Sequence, residues 1–540
     1  MKDISSTGSF IDFTLENFIY VDKTEYIPKL VKLKRVFISR PRRFGKSLTL
    51  DTIATLFETG VEPYFKGTWI YDKWTEPTYP VLRLNFLNFD KNSLEKFNNK
   101  LNSKITEFAE LNHVTTYKEK EEAEDSIDHL LEQLRLEGRQ IVILIDEYDC
   151  QMTANINNET LYKQFQEKIK SFYATIKNKW PIKFLGITGV TRLKDVEIFS
   201  IGSDIRDITN ASAYSQMIGF TRDEIKKYYI DYLKLAASCE NNCSVDKVTD
   251  AQIESMLDMM AQNYDGYCFD EFYKKKVFST WSVNKFFQNI VKNKFVDFGE
   301  YWYDNGGLPS ILVNYLKTHE LNIFEYLDKD KFLKVSSDDF KNPTSLTTIN
   351  QNVLMCQTGY LTLRSDLNKT STVALGIPNG EIYKALNRLL ANNIFKGNTD
   401  ITDDYGRSLL EVGTVDDIIN LFNSALNSVS YDNYPIVSES SVQNMLKLYL
   451  LGAHQEVLSE VHEAKGRADL VVNTDNKRIV FEFKYAKNET EAKTKLSEAV
   501  EQIKTRDYGN ILPKKAELIR IAAVFNADPK VRAFTEFQLV

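Results

Sequence analysis

The sequence predicts an α/β protein in three stretches. These are a parallel sheet with helices on both faces over residues 1–230, a helical lid and connector region over 231–430, and a smaller α/β domain over 431–540. Three observations carry that reading. Apolar, β-rich runs alternate with longer helical stretches through the first 230 residues, the pattern of a parallel sheet covered by helices. From about 231 to 340 the chain is helical and aromatic, without strong strand signals. After Asn433-Tyr434-Pro435 the character changes to a helix, a strand pair, a helix and a final strand, which puts a domain boundary near 430. Length agrees, since 540 residues exceed a single hydrophobic core and suggest roughly three domains.

The first four strands are expected at Arg35–Ser39, Val81–Phe86, Ile141–Ile145 and Phe184–Thr188. The third is apolar throughout and fits a strand buried on both faces. Between the second and third lies the charge run Lys118–Asp125, expected to be a solvated face or an exposed helix start. Further on, Gly359–Leu363 reads as a short β piece and Gly376–Gly380 as a turn.

Directly after the first strand comes Arg40-Pro41-Arg42-Arg43-Phe44-Gly45-Lys46-Ser47, then a helix over Leu48–Phe57. A phosphate-binding loop needs a strand, a tight loop whose N–H groups face the phosphates, and a helix N-terminus aimed the same way. It also needs a lysine for the β/γ-phosphates and a hydroxyl for Mg²⁺. Gly45, Lys46 and Ser47 supply the second half of that pattern, and Arg40 stands where its first glycine belongs. Arg40, Arg42 and Arg43 are read as added positive charge. The third strand ends in Asp146-Glu147, with Asp149 close behind. In P-loop ATPases the first acid holds Mg²⁺ and the second polarises the attacking water. The N-terminal stretch is therefore expected to be a P-loop NTPase that binds ATP and Mg²⁺ through Arg43, Phe44, Gly45, Lys46, Ser47 and Asp146, with Glu147 as the catalytic acid.

Composition excludes other classes. Hydrophobic residues at 43% and charged residues at 26% are those of an ordinary folded protein. There is no run of 18 apolar residues and no apolar stretch at the N-terminus, so a chain without membrane spans, in the cytoplasm, is expected. Five cysteines and five histidines support neither a disulfide framework nor a zinc array. Cys239 and Cys243 are expected as free thiols, and His454 and His462 lack a third ligand for zinc. Net charge is −7, yet residues 441–540 carry 16 Lys and Arg against 14 Asp and Glu, while the rest carry 52 against 61. That contrast permits a nucleic-acid partner at the C-terminal end without demanding one.

In that end, two β-rich runs flank Asp475-Asn476, residues that tolerate positive φ in a tight hairpin. With those two as the loop, Thr474 faces Lys477 and Asp469 falls opposite Glu482. Directly opposed strand residues have Cβ atoms about 4.5–5.5 Å apart, and like charges there repel. A divalent cation would resolve the repulsion. Lys484 lies on the same strand face as Glu482, while Phe481, Phe483 and Tyr485 point to the other, so one face is expected to be catalytic and the other core. Asp469 with Glu482-x-Lys484 matches the arrangement of metal-dependent phosphodiesterases. The carboxylates hold Mg²⁺, and the lysine positions or deprotonates water or steadies the phosphorane. Glu460 reads either as a further metal acid or as a polar strand residue.

Tyr20–Thr24, Arg40–Leu48, Leu144–Asp149 and Gly186–Arg192 resemble the bacterial AAA-ATPase-like family that is often fused to a PD-(D/E)XK nuclease, and the RPRRFGKS loop with its missing first glycine is a trait of that family. Further matches are Ile218–Thr221, Tyr264–Tyr267, Gln357–Leu361 and Gly376–Asn379, so the resemblance spans nearly the whole chain. It implies a sensor at Thr188 or Arg192, with a surface ion pair as the alternative for Arg192. Gly466–Asp469 resembles the GR(I/A)D strand of the PD-(D/E)XK superfamily. Glu498–Tyr508 resembles its following helix, whose Gln502 and Tyr508 approach the site, and Glu439 resembles the first-helix acid that completes the metal shell. The implied protein is an ATPase that gates or positions Mg²⁺-dependent cleavage of DNA or RNA. ATPases of this class often form rings, so homo-oligomers are admitted. The rival is an ATP-driven switch whose C-terminal domain binds nucleic acid or protein without cutting.

Overall fold

Five short strands form the first sheet, in the order β2-β3-β4-β1-β5: β1 (Arg35–Ser39), β2 (Val81–Asn85), β3 (Ile141–Asp146), β4 (Ile182–Gly189) and β5 (Arg206–Asp207). All neighbours are parallel, as βαβ crossovers require. The structure, a computed structural model, describes residues 1–193, 204–302, 310–316, 319, 323–395, 405–463, 466–510 and 517–540. Every residue of β3 is buried, the expected signature of a central strand covered on both faces. β5 is only two residues at the sheet edge, too short to leave a periodic trace in sequence.

Chain contacts divide the molecule into two compact units, one of residues 1–319 and 332–382, the other of 320–331 and 383–540. The first unit holds the parallel sheet, a helical cluster around Tyr229, Met256, Phe286 and Phe287, and a small antiparallel sheet. That small sheet runs β6-β8-β7, from β6 (Leu333–Ser336), β7 (Thr362–Leu363) and β8 (Thr372–Gly376). The middle of the chain is thus mainly helical, but it carries strands where only the piece at 359–363 was expected. In the Lys118–Asp125 run a helix starts at Ala123, and Glu122 and Glu124 both reach the buried Lys168 at 2.5 Å. That run is a partly engaged helix start rather than a free face.

The second unit is built on a mixed sheet, β13-β12-β11-β10-β9, from β9 (Glu456–Glu463), β10 (Gly466–Asn473), β11 (Lys477–Ala486), β12 (Glu517–Asn526) and β13 (Ala533–Leu539). β9 and β13 add to the strand pair and final strand read from sequence. The parallel pair β11/β12 is joined by the helix Glu489–Arg506, whose Ala499 and Ile503 pack on Val480 and Ala522. On the opposite face Phe422 of the helix Val415–Asn427 meets Phe481, with ring centroids 5.3 Å apart. Both faces of β11 are therefore covered. The row that carries Glu482 is covered too, with the crossover helix on Val480 two residues away, and Glu482 is 0 % exposed.

Candidate nucleotide and metal sites

The phosphate-loop region is made by the turn from β1 into the helix Lys46–Thr59. Gly45 caps that helix at φ +102°, a backbone state that a side chain would strain. Ser47 Oγ donates to Asp146 Oδ2 at 2.6 Å, and Thr188 Oγ1 donates to Asp146 Oδ1 at 2.5 Å. Lys46 Nζ donates to the carbonyls of Arg40 and Pro41 at 3.0 and 3.1 Å and lies 3.7 Å from Glu147 Oε1. Burial pushes the Glu147 carboxyl up, opposed by Lys46 and reinforced by Asp149 and Asp146. Five groups read from sequence (Gly45, Lys46, Ser47, Asp146, Glu147) are thus brought together, and Thr188 joins them. A hydroxyl beside a carboxylate is a hard-oxygen donor set suited to Mg²⁺, and the lysine rests on carbonyls it could exchange for phosphate oxygens.

Arg40 sits differently from its reading as added charge. Arg40 is 1 % exposed, donates to the Ser39 and Thr209 carbonyls at 2.9 and 2.6 Å, and lies 4.1 Å over the Phe269 ring. Burial lowers its pKa to about 9. It therefore anchors the loop rather than adding charge toward phosphates. Phe44 turns its ring into a cluster with Tyr267 (4.7 Å), Phe269 (5.5 Å) and Trp302 (6.2 Å), so only its backbone is left for a nucleotide. Removing such a buried ring costs about 3–5 kcal/mol. Arg43 stacks on Trp281 at 4.3 Å and gives its carbonyl to Thr280 Oγ1 at 2.8 Å. Arg192 pairs with Asp207 and donates to the Lys341 carbonyl, the ion-pair alternative for that residue. Asp149 binds Thr191 N and Oγ1 at 2.6 and 2.5 Å and so holds the end of β4.

In the second unit β10 and β11 pair with Val472 opposite Ile479 and Leu470 opposite Phe481, the register counted from the loop, and the pairing ends one step short of Asp469 and Glu482. Thr474 N–H donates to the Lys477 carbonyl at 2.8 Å and Lys477 N–H to Thr474 Oγ1 at 3.0 Å. The two-residue loop is as counted, but neither Asp475 nor Asn476 takes positive φ, because the Thr474 hydroxyl closes the turn instead. Asp469 Oδ2 accepts from Phe483 N–H at 2.8 Å. Lys484 Nζ donates to Glu482 Oε1 at 2.7 Å and to the Phe483 carbonyl at 3.1 Å, with Glu439 Oε1 at 3.4 Å. Glu482 Oε2 is buried with no hydrogen-bond partner among the described residues.

Electrostatics follow from that crowding. Burial, reinforced by Asp469, pushes Glu482 up to about 7. Burial also raises Asp469 to about 6, against the Phe483 N–H and Lys484. Lys484 is itself buried, yet its bond and attraction to Glu482 outweigh that and raise its pKa. An unpartnered carboxylate oxygen beside a second carboxylate is a donor set that a divalent cation fits. Glu439 reaches Lys484, and its charge adds to the rise at both Asp469 and Glu482, while no group of three His, Cys, Asp or Glu among the described residues is placed to share an ion. Gln502 donates to Tyr508 Oη at 3.2 Å. Glu460 pairs with Arg467, and its charge adds to the rise at Asp469. Cys239 and Cys243 are free thiols.

Residues 5–199 match the family described as "Predicted AAA-ATPase" (AAA-ATPase-like), and residues 437–535 match the PD-(D/E)XK nuclease superfamily. The chain joins an AAA-ATPase-like domain to a PD-(D/E)XK nuclease superfamily domain. A relative from Azotobacter chroococcum mcd 1, named an uncharacterized protein in the vnfD 5′ region, is 25% identical over 533 residues, covering 95% of this chain and 94% of its own. A crystal structure of Cdc6p from Pyrobaculum aerophilum aligns at 11% identity with a TM-score of 0.22, over 67% of this chain and 90% of that one. No helix among the described residues is long and apolar enough to cross a membrane.

Beside the loop of the AAA-ATPase-like domain lies a cavity of about 170 Å³, mainly apolar, bordered by Tyr20, Gly45, Leu48, Thr49, Ile218 and Trp281. Sequence reasoning missed Thr280 and Trp281, which bind the loop at Arg43, and Glu381. The Glu381 carboxylate accepts from Ser282 Oγ at 2.7 Å and Trp302 N–H at 2.8 Å, and burial raises it to about 8. No local pattern marks these residues, since each meets its partner across at least 79 positions of chain.

Proposed function

We propose that the chain is an ATP-dependent nuclease, in which nucleotide binding at Lys46 and Ser47 gates or positions phosphodiester cleavage at Asp469, Glu482 and Lys484. The observation that carries the nuclease half is the buried Glu482, with one oxygen on Lys484 and the other unpartnered beside Asp469. A pure binding fold gains nothing from such a pair, and leaving a buried polar atom unpaired costs about 1–3 kcal/mol. A divalent cation between the two acids would supply Lewis-acid activation of water and of the phosphate. Lys484 holds Glu482 in place and keeps its proton, so it can orient water or neutralise charge developing on the phosphorane. In the ATPase half, Lys46 and the helix N-terminus meet the phosphates and the cavity beside Gly45 takes the base and sugar. Glu147, raised by burial, is poised to accept a proton. Homo-oligomerisation is part of the same proposal through the ring habit of such ATPases.

The test is cleavage of single- and double-stranded DNA and RNA by the full chain with Mg²⁺ or Mn²⁺, with and without ATP. Lys484→Ala should lower cleavage by roughly a hundredfold or more, and Lys46→Ala should abolish the dependence on ATP. ATP turnover with no cleavage of any of the four substrates would replace this reading with the non-cleaving switch.

A further inference from the structure

On the face of the sheet opposite the acids, the second unit has a cavity of about 140 Å³ bordered by Tyr431, Tyr434, Ile436, Phe525 and Arg532. A single water has a share of about 30 Å³ in the liquid, so the space suits a ring system rather than one solvent molecule. Two routes along the chain tie it to the acids. Phe525 pairs with Tyr485, one residue past Lys484, and a strand advances only about 3.3 Å per residue. Ile436 lies just ahead of Glu439, whose carboxylate reaches Lys484 Nζ at 3.4 Å. The wall is chemically specific. The Arg532 guanidinium lies 3.4 Å over the Tyr431 ring, and its Nε is buried with no hydrogen-bond partner among the described residues. Tyr431 is 40 % exposed at the mouth, and the Phe525 ring closes the interior at 1 %.

We propose that this cavity takes one unpaired nucleobase of the strand being cut, stacked against the aromatic wall, with an acceptor on its edge satisfying Arg532 Nε–H. The idea rests on the nuclease reading and names its substrate class as single-stranded or locally unpaired nucleic acid, because a base inside a duplex has no free face to offer. The arginine supplies charge complementary to the backbone that carries the base. A methylene-rich ligand would leave Arg532 Nε unsatisfied, whereas every base presents both a π face and edge acceptors.

The experiment uses the full chain in a Lys484→Ala background, so that oligonucleotides stay intact. Single strands carrying 2-aminopurine at successive positions are titrated alongside the duplex of the same sequence. The expected result is tighter binding of the single strand and quenching at one position. Tyr431→Ala and Arg532→Gln should each relieve the quench and weaken binding roughly tenfold, while Tyr431→Phe, which keeps the ring, should leave both intact. If Tyr431→Ala fails to fold, Arg532→Gln decides alone. Binding without a quenched position, or quenching unchanged by Arg532→Gln, overturns the base site while leaving the nuclease reading standing. Absence of both binding and cleavage of all nucleic acids by the unaltered chain overturns the two together.

Discussion

At the phosphate loop, Asp146 has one oxygen on Ser47 and the other on Thr188, and Lys46 rests on the loop's own carbonyls. In the β10/β11 hairpin, Glu482 has one oxygen on Lys484 and the other on nothing among the described residues, with Asp469 pressing on it. Both sites combine strand-borne carboxylates with a lysine, but Asp146 is satisfied within its site and Glu482 is not. A carboxylate bonded through both oxygens can wait for a ligand without an unpartnered buried atom. An unsatisfied one destabilises the fold until something neutralises it, which is how sites for ions are commonly built.

The sharpest way to break this contrast is to supply the ion. Asp469 and Glu482 have native pKa values of about 6 and about 7, above ordinary values of 3.8 and 4.5. The native protein therefore holds more protons between about pH 4 and 7, and the metal-free fold loses stability as pH rises through that window. Mg²⁺ or Mn²⁺ must displace those protons, so its stabilisation should be near zero at pH 5 and reach about 2–3 kcal/mol at pH 8 with metal at a hundred times its Kd. Thermal melts of the full chain measure it, and Asp469→Ala should abolish the metal effect. A metal response independent of pH would contradict the assigned acids.

A smaller effect comes from removing one charge without any ion. Asp469→Asn keeps an oxygen for the Phe483 N–H but ends the repulsion, and should stabilise the metal-free protein by about 1–2 kcal/mol at pH 8, with no gain at pH 4. Urea unfolding at both pH values reads it. The smallest is the mirror experiment at the phosphate loop. Ser47→Ala deprives Asp146 of a donor and should destabilise by about 1 kcal/mol with no ligand present. If both substitutions shift stability in the same direction, the contrast between the sites is wrong.

The parallel sheet and the two acid–lysine constellations were legible because each is written in contiguous residues. The apolar run Ile141–Ile145 ends in Asp146-Glu147, and counting outward from Asp475-Asn476 sets Leu470 against Phe481, as found. The edge strand β5 was illegible because two residues carry no period. The strand β6, whose burial does alternate, is four residues long in a helical stretch and earns its place only by pairing with β8. Arg40 misled because an arginine in a phosphate loop reads as charge, and only the packing of Phe269 and the Thr209 carbonyl turns it inward.

By itself, then, the sequence determined which residues share a strand, a turn or a loop, since periodicity and turn chemistry act over a few neighbours. The tertiary structure alone decided what each of those residues meets. The helix Glu489–Arg506 packs on the row that carries the buried Glu482, Thr188 takes the second oxygen of Asp146, and Arg532 comes to lie over Tyr431. Burial and partners set the cost of a charge, and both are supplied by segments that lie far apart along the chain.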